Sequence, residues 1–381
     1  MPQNSAALAP APVLSSGFAS PIEPIFGGPD CPPRALRDVL ERRIDAVPTG
    51  GAIGWITYYF RDEALAEALI RAHRRGVSVK LCLEGRPRFA SANTRVIERL
   101  SDPQFGIGTG LRVIQHVLPF HLHTKLYCFS GPRPTALIGS FNPSGNRPED
   151  TDVVRRIGDQ DRGYNLLVEF RDSALVPVLF DRVAALHEPE RAVDSPFGTP
   201  QPALLARDAE IYFTPFWRQN PLCERLATLE RGASLRIAAS HVRDFDVARS
   251  LVGLVQNGVE VELLTGATGR RAPGRIGRYL VAGCVTVHRI GHPATLPMHA
   301  KFMLADGPGG GWSAFGSYNL TRTSRWLNQE ILAFSSDPGL WRRLAARWDE
   351  MLSDHARREQ AGEPASVPRI PLPTSQLRAA Q

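Results

Sequence analysis

The sequence predicts an α/β protein of two similar halves. Each has a mostly parallel sheet with flanking helices, and a pseudo-twofold axis relates them, with the active site between. Three observations carry this expectation. A strand–helix–strand pattern occurs twice. A His-x-Lys motif followed by Gly-Ser-x-Asn also occurs twice, in matching places. The 381 residues, 43% hydrophobic and 22% charged, form an ordinary globular composition with room for more than one domain.

Each element of the repeat has its own reason. A helix on Leu36, Val39, Leu40 and Ile44 matches one on Leu222, Leu226 and Leu229. A β-prone run follows in each half, GAIGWITYYFRD at 51–62 and GASLRIAASHVRD at 232–244. Next come helical patterns on Leu65, Leu69 and Ala72, and on Val247, Leu251 and Leu254. Gly76 and Gly258 end them, because glycine suits the left-handed position past a helix C-terminus. Alternating strands follow at 77–83 (VSVKLCL) and 259–265 (VEVELLT). Strand–helix–strand order implies right-handed crossovers and parallel pairing. Each half then adds a third strand and the motif segments. The expected layout is a flexible tail over 1–23, a first half over 24–190, a linker over 191–207, a second half over 208–355 and a second flexible tail over 356–381.

Composition narrows the function classes. No apolar run reaches the roughly 18 residues of a membrane-spanning helix. The five scattered cysteines form no Cys-x-x-Cys pair, so neither a zinc site nor a disulfide framework is indicated. Arg34 is the first basic residue, so no basic-then-apolar leader is read, and a cytoplasmic location is expected. The net charge of +7 favours acidic partners such as phosphates, nucleic acid or an anionic lipid surface.

Of 45 basic residues only Lys80, Lys125 and Lys301 are lysines. Lysine is a compact point charge where arginine is a wide planar fork. Two of these three stand in His123-Thr124-Lys125 and His299-Ala300-Lys301, and Ser140 and Ser317 follow the histidines by 17 and 18 residues. Two histidines supply a nucleophile or base and a general acid. Two lysines supply fixed positive charge without a metal. Ser140, Asn142, Ser317 and Asn319 add neutral donors. Such a set suits a phosphodiester, whose transition state gathers negative charge on its oxygens.

At these residues the sequence resembles the phospholipase D superfamily, whose signature is H-x-K-x4-D followed by G-S-x-N, usually twice per chain. The second copy is complete in His299, Lys301, Asp306, Gly316, Ser317 and Asn319, and Asn328-Gln329-Glu330 looks like the family's N-x-E segment. The first copy has His123, Lys125, Gly139, Ser140 and Asn142, with Ser130 at the aspartate position. The resemblance spans roughly 50–350 and implies a metal-independent phosphodiesterase or phosphatidyl transferase that works through a phosphohistidine and needs no cofactor. It implies that Glu330 orients a histidine, with Asn165 or Glu169 as the first-half counterpart; Asn165 is preferred because it falls nearest Glu330 in register. By the same analogy His123 is the nucleophile and His299 the general acid. The reverse stays open, because His299 has the better carboxylate support in its own half.

Arg86 and Arg88 after one strand, and Arg270 and Arg271 after its counterpart, lie where parallel strands end and ligands bind, so they are candidates for holding a phosphate-bearing substrate. A solvated basic loop is the plainer reading. His121 and His123 form an H-x-H pair, but no third ligand is evident, so no metal is expected. Trp55, Tyr58, Tyr59 and Phe60 read as core, with a substrate wall as the lesser alternative. The leading functional expectation is a phospholipid substrate reached by peripheral contact with the inner membrane. A nuclease of the same superfamily and a non-catalytic phosphate binder are the alternatives, the last motivated by Ser130. A single chain holds both motif copies, so a monomer can complete the site.

Overall fold

The computed structural model describes residues 22–115, 120–144, 151–188, 202–216, 220–266, 268–290 and 296–360. The first half runs β1 (Glu23–Gly27), α1 (Ala35–Ala46), β2 (Ala52–Thr57), α2 (Glu63–Arg74), β3 (Ser78–Glu84), α3 (Thr94–Leu100), β4 (Leu111–Ile114), β5 (Leu126–Phe129), β6 (Thr135–Gly139), α4 (Thr151–Ile157), β7 (Asn165–Phe170) and α5 (Leu175–His187). The second runs β8 (Leu204–Ala206), β9 (Ala209–Phe213), α6 (Pro221–Leu226), β10 (Ser234–Ala239), α7 (Phe245–Gln256), β11 (Glu260–Gly266), α8 (Gly274–Ala282), β12 (Thr286–Ile290), β13 (Lys301–Asp306), β14 (Trp312–Gly316), α9 (Arg322–Trp326), β15 (Ile331–Ser335) and α10 (Pro338–Gln360).

The repeat is reproduced strand for strand except for β8, an extra edge strand of the second sheet. The first sheet has the order β1-β7-β6-β5-β2-β3-β4, and the second β12-β11-β10-β13-β14-β15-β9-β8. The helices form for the reasons read in the sequence. Asp62 and Asp244 cap α2 and α7 by accepting backbone N–H bonds. Leu65, Leu69 and Ala72, and Val247, Leu251 and Leu254, are the buried faces. Gly76 and Gly258 both sit at φ 85°, which only glycine adopts freely.

The sheets are mixed, not mostly parallel. Only β2-β3-β4 and β10-β11-β12 pair in parallel, and the other partners are antiparallel. The segments 130–134 and 307–311 are too short for a crossover, so β5–β6 and β13–β14 close as hairpins. The crossover rule holds for the strand–helix–strand units, but it does not govern the return of the chain to the middle of the sheet.

One apolar core runs through both halves. It joins Ile138, Leu166 and Val168 of the first sheet to Phe302, Phe315 and Ile331 of the second. Phe170 stacks on Phe315 at 6.0 Å between centroids. Helix α5 and helix α10, with Leu340, Leu344 and Trp348, belong to the same core. Two further cores lie between the remaining helices and each sheet. Strand β8 starts inside the stretch read as a linker, and α10 runs to Gln360, past the expected boundary at 355. The expected tails at 1–21 and 361–381, and residues 189–201 of the linker region, lie outside the described residues. No helix among the described residues is long and apolar enough to cross a membrane.

Candidate active site

The two motif segments meet where the halves join. Just before β5 and β13, the chain of each half lies beside the other half's orienting segment. His123 N–H donates to the Gln329 carbonyl at 2.8 Å, and Gln329 N–H returns a bond to His121 at 2.9 Å. The pseudo-symmetric pair is His299 N–H to Tyr164 at 3.0 Å and Tyr164 N–H to Pro297 at 3.0 Å.

The side chains cross in the same way. The Nδ1 of His123 lies 2.7 Å from Glu330 Oε2, and the Nδ1 of His299 lies 2.9 Å from Asn165 Oδ1. Each histidine is therefore oriented by the opposite half. The nearby carboxylate expected to favour His299 serves His123, and His299 has only a neutral amide. An ionised carboxylate accepts only, so His123 carries its proton on Nδ1 and leaves the Nε2 lone pair free. Asn165 Nδ2 donates to the Gln160 and Gly163 carbonyls at 2.8 and 3.3 Å, which turns Oδ1 toward His299. His299 Nε2 is then the free nitrogen as well.

The motif serines hold the orienting groups. Ser140 Oγ donates to Asn165 Oδ1 at 3.1 Å, and Ser317 Oγ donates to Glu330 Oε2 at 2.6 Å. Both are fully buried. The glycine before each is required by close backbone approach. A Cβ at Gly139 or Gly316 would lie 2.2 Å from the carbonyl oxygen of Leu166 or Ile331, the oxygen that accepts the serine N–H. Glu330 also accepts from Ser324 Oγ at 2.7 Å.

Lys125 and Lys301 are buried, and each donates to the carbonyl of its own motif histidine at 2.6 Å. Their charges reach across the join. Burial lowers His123 to about 4 against the pull of Glu330, with Lys125 and Lys301 adding to the fall. Burial, then Lys301, Arg271 and Lys125, hold His299 well below its ordinary value. Burial brings Lys125 down to about 7, opposed by Glu330. Burial would raise Glu330, but His123, Lys125 and Ser317 hold it below the usual carboxylate range. Burial, then the charge of Lys125, holds Lys301 well below the ordinary lysine value against the pull of Glu330. The site is thus two neutral imidazoles, one carboxylate and two desolvated lysines.

A family model described as "Cardiolipin synthase, PLD-like domain" matches residues 51–150 and 226–352, more than half of the sequence. The chain belongs to the phospholipase D superfamily. No curated protein matches this phospholipase D-like sequence. Its fold is similar to that of phosphatidylserine synthase from Haemophilus influenzae, with TM-score 0.63, 11% identity and coverage of 89% of this chain and 88% of that one. It is also similar to polyphosphate kinase from Porphyromonas gingivalis, with TM-score 0.53, 17% identity and coverage of 86% of this chain; it spans only 49% of that longer protein.

The remaining candidates of this phospholipase D-like chain divide. Asn142 Oδ1 accepts from Tyr59 N–H at 3.3 Å, and Asn319 Oδ1 lies 3.3 Å from His241 Nδ1. Arg271 reaches Ser240 Oγ at 2.6 Å and both nitrogens of His241 at 3.4 Å. Arg88 and Arg270 are exposed, and both bear on Arg271 with their charge. Arg86 is exposed, and its backbone N–H donates to the buried Glu84. Asp306 is not brought to the site. It is exposed at the far end of β13 from Lys301, a full strand away. Its counterpart Ser130 likewise stands remote from the histidines and accepts from Ala52 N–H at 2.6 Å. Glu169 pairs with Arg43 and Arg171 and does not reach a histidine.

One residue near the site escaped the sequence reading. His241 stands where Tyr59 stands in the first half, so aligning the two repeats finds it. Tyr58 is buried with Tyr59 and Ala92, as expected of a core residue, and its ring also lies 5.0 Å from His123 and 5.4 Å from Lys125 Nζ, the place of the lesser, substrate-wall reading. Among the described residues no group of three His, Cys, Asp or Glu is placed to hold a metal ion.

Proposed function

We propose that the protein hydrolyses or transfers phosphodiesters through a covalent phosphohistidine on His123, and that its substrate is a phospholipid. The crossed pairing of one histidine with a carboxylate and the other with an amide carries this reading. His123 Nε2 attacks phosphorus as the bond to the leaving oxygen breaks. Glu330 stabilises the cationic ring that results. His299, backed only by Asn165, is the weaker base and so the better acid, and it gives its Nε2 proton to the leaving oxygen. In the free protein cations keep His299 neutral. A diester anion between Lys125 and Lys301 offsets them and raises its proton affinity. In the second step His299 takes a proton from water or an alcohol, whose oxygen attacks phosphorus and frees His123. The lysines hold the equatorial oxygens without requiring a metal.

The phospholipid preference draws support from the family model's description and from fold likeness to a phosphatidylserine synthase along most of both chains. The exposed Arg88 and Arg270 favour a nucleic-acid substrate as the second reading, because phosphate contacts dominate such binding. The test is turnover in EDTA on mixed phospholipid vesicles and on single-stranded and duplex DNA. Release of headgroup or phosphatidic acid, lost in both His123→Ala and His299→Ala, is expected. DNA cleavage with the same mutant pattern would transfer the assignment to a nuclease. Activity surviving both substitutions would overturn the mechanism.

A further inference from the structure

The second half carries a cavity of about 290 Å³ lined by Arg243, Phe245, Arg275 and Arg322, and the backbone N–H of Arg243 donates at 2.8 Å to the carbonyl of Leu320, the residue after Asn319. The three arginines come from separate segments: the residue before the α7 cap, the first turn of α8 and the first residue of α9. All three are exposed. Among the described residues neither Arg243 nor Arg275 has a carboxylate partner, whereas Arg322 is balanced by Asp244 and Asp246 at 3.8 and 3.9 Å. Net positive charge therefore remains in a concave site, which is more than a solvated basic face requires.

The cavity is continuous in charge with the site described above. Arg270 follows directly before Arg271, which is hydrogen-bonded to Ser240 and His241. Arg270 keeps an exposed surface, yet partial desolvation of its guanidinium, then the charges of Arg88 and Arg243, hold it below the usual guanidinium range. Cations thus lead from the first half at Arg88, through Arg270, to Arg243 and the cavity. One diester anion is already served by Lys125 and Lys301. A further file of unpaired arginines fits a second anion on the same substrate, and planar guanidinium groups match phosphate oxygens.

We propose that this cavity is a subsite for a second phosphate group carried by the substrate, so that the preferred substrate is a diester bearing another phosphate on the same molecule. The inference rests on the phosphodiester reading above and extends it to substrate class. The chemistry is common to a phosphorylated nucleotide and a lipid headgroup with a second phosphate.

The test compares kcat/KM on thymidine 5′-(4-nitrophenyl) phosphate with that on the same ester phosphorylated at its 3′ oxygen. A lipid arm compares phosphatidylglycerol with phosphatidylglycerol phosphate in vesicles. In at least one arm the doubly phosphorylated member is preferred about tenfold or more, on the scale of one charge-assisted contact. In an Arg243→Gln/Arg275→Gln double variant that ratio falls to near one. The arm that responds names the source of the phosphate. Turnover abolished by His123→Ala, with no preference in either arm or a preference that survives the double variant, overturns the subsite and leaves the phosphodiester reading standing. If neither arm turns over, the phosphodiester reading fails for these substrates, and calorimetric titration with pyrophosphate decides the subsite. A tenfold weaker affinity in the double variant supports it, and equal affinity overturns it.

Discussion

At the scale of single residues, the chemistry turns on which partner each histidine has. Glu330 bonds to His123 Nδ1 and is itself fixed by Ser317 and Ser324. Glu330→Gln keeps the shape but removes the charge that stabilises a cationic ring. Its kcat on a phosphodiester is expected to fall on the order of 10⁴-fold, as for other carboxylate-backed histidines, with little change in thermal midpoint. The same pair sets the pH response of kcat/KM, which reports the free protein. As pH falls through about 4, His123 takes a proton and loses its lone pair. As pH rises through about 7, Lys125 loses the charge proposed to hold phosphate, and Lys301, which burial also holds well below its ordinary value, acts in the same direction. A plateau between these values, falling on both sides, is the expected profile. Because Glu330 raises the proton affinity of His123, Glu330→Gln moves the acid limb to lower pH. An acid limb that stays put would show that another group sets it.

At the scale of elements, β5 and β13 each carry chemistry at one end only. Lys125 stands just before β5 and Lys301 at the start of β13, with Ser130 just past the far end of one and Asp306 at the far end of the other. Ser130 Oγ accepts the backbone N–H of Ala52 and so ties the end of β5 to the start of β2. Its departure from the family's aspartate therefore lies past the end of β5 opposite to the one that follows Lys125. Ser130→Asp is expected to leave turnover within about twofold. Ser130→Ala should cost about 1 kcal/mol of stability through the lost hydrogen bond, read as a lower denaturant midpoint. A large loss of turnover in either variant would mean that this end of the strand communicates with the site.

At the scale of the whole molecule, neither half holds a complete site. Each supplies a histidine and a lysine, and each borrows its orienting group from the other. The apolar core is shared as well, with Leu166 and Phe170 against Phe315 and Ile331. Separation would expose that surface to water. Calorimetry of the full chain is expected to show one cooperative transition, and a fragment ending at residue 188 should not fold or turn over substrate. Two resolved transitions would mean that the halves are independent units.

The sequence alone determined the repeat, the helix faces, the glycine helix ends and the pairing of His-x-Lys with Gly-Ser-x-Asn, because these are set by local periodicity and by spacing along one chain. It also placed Asn165 opposite Glu330, since the two halves could be laid in register. It did not reach the antiparallel hairpins, because a short turn reverses a strand regardless of the crossovers before it. It missed His241, and it expected Asp306 at the site. Above all, it assigned carboxylate support to the histidine nearest in sequence. Only the tertiary structure decided that Glu330 serves His123 and Asn165 serves His299. The physical reason is the pseudo-twofold join: the N-x-E strand of one half pairs with the motif segment of the other, and separation along the chain carries no record of that exchange.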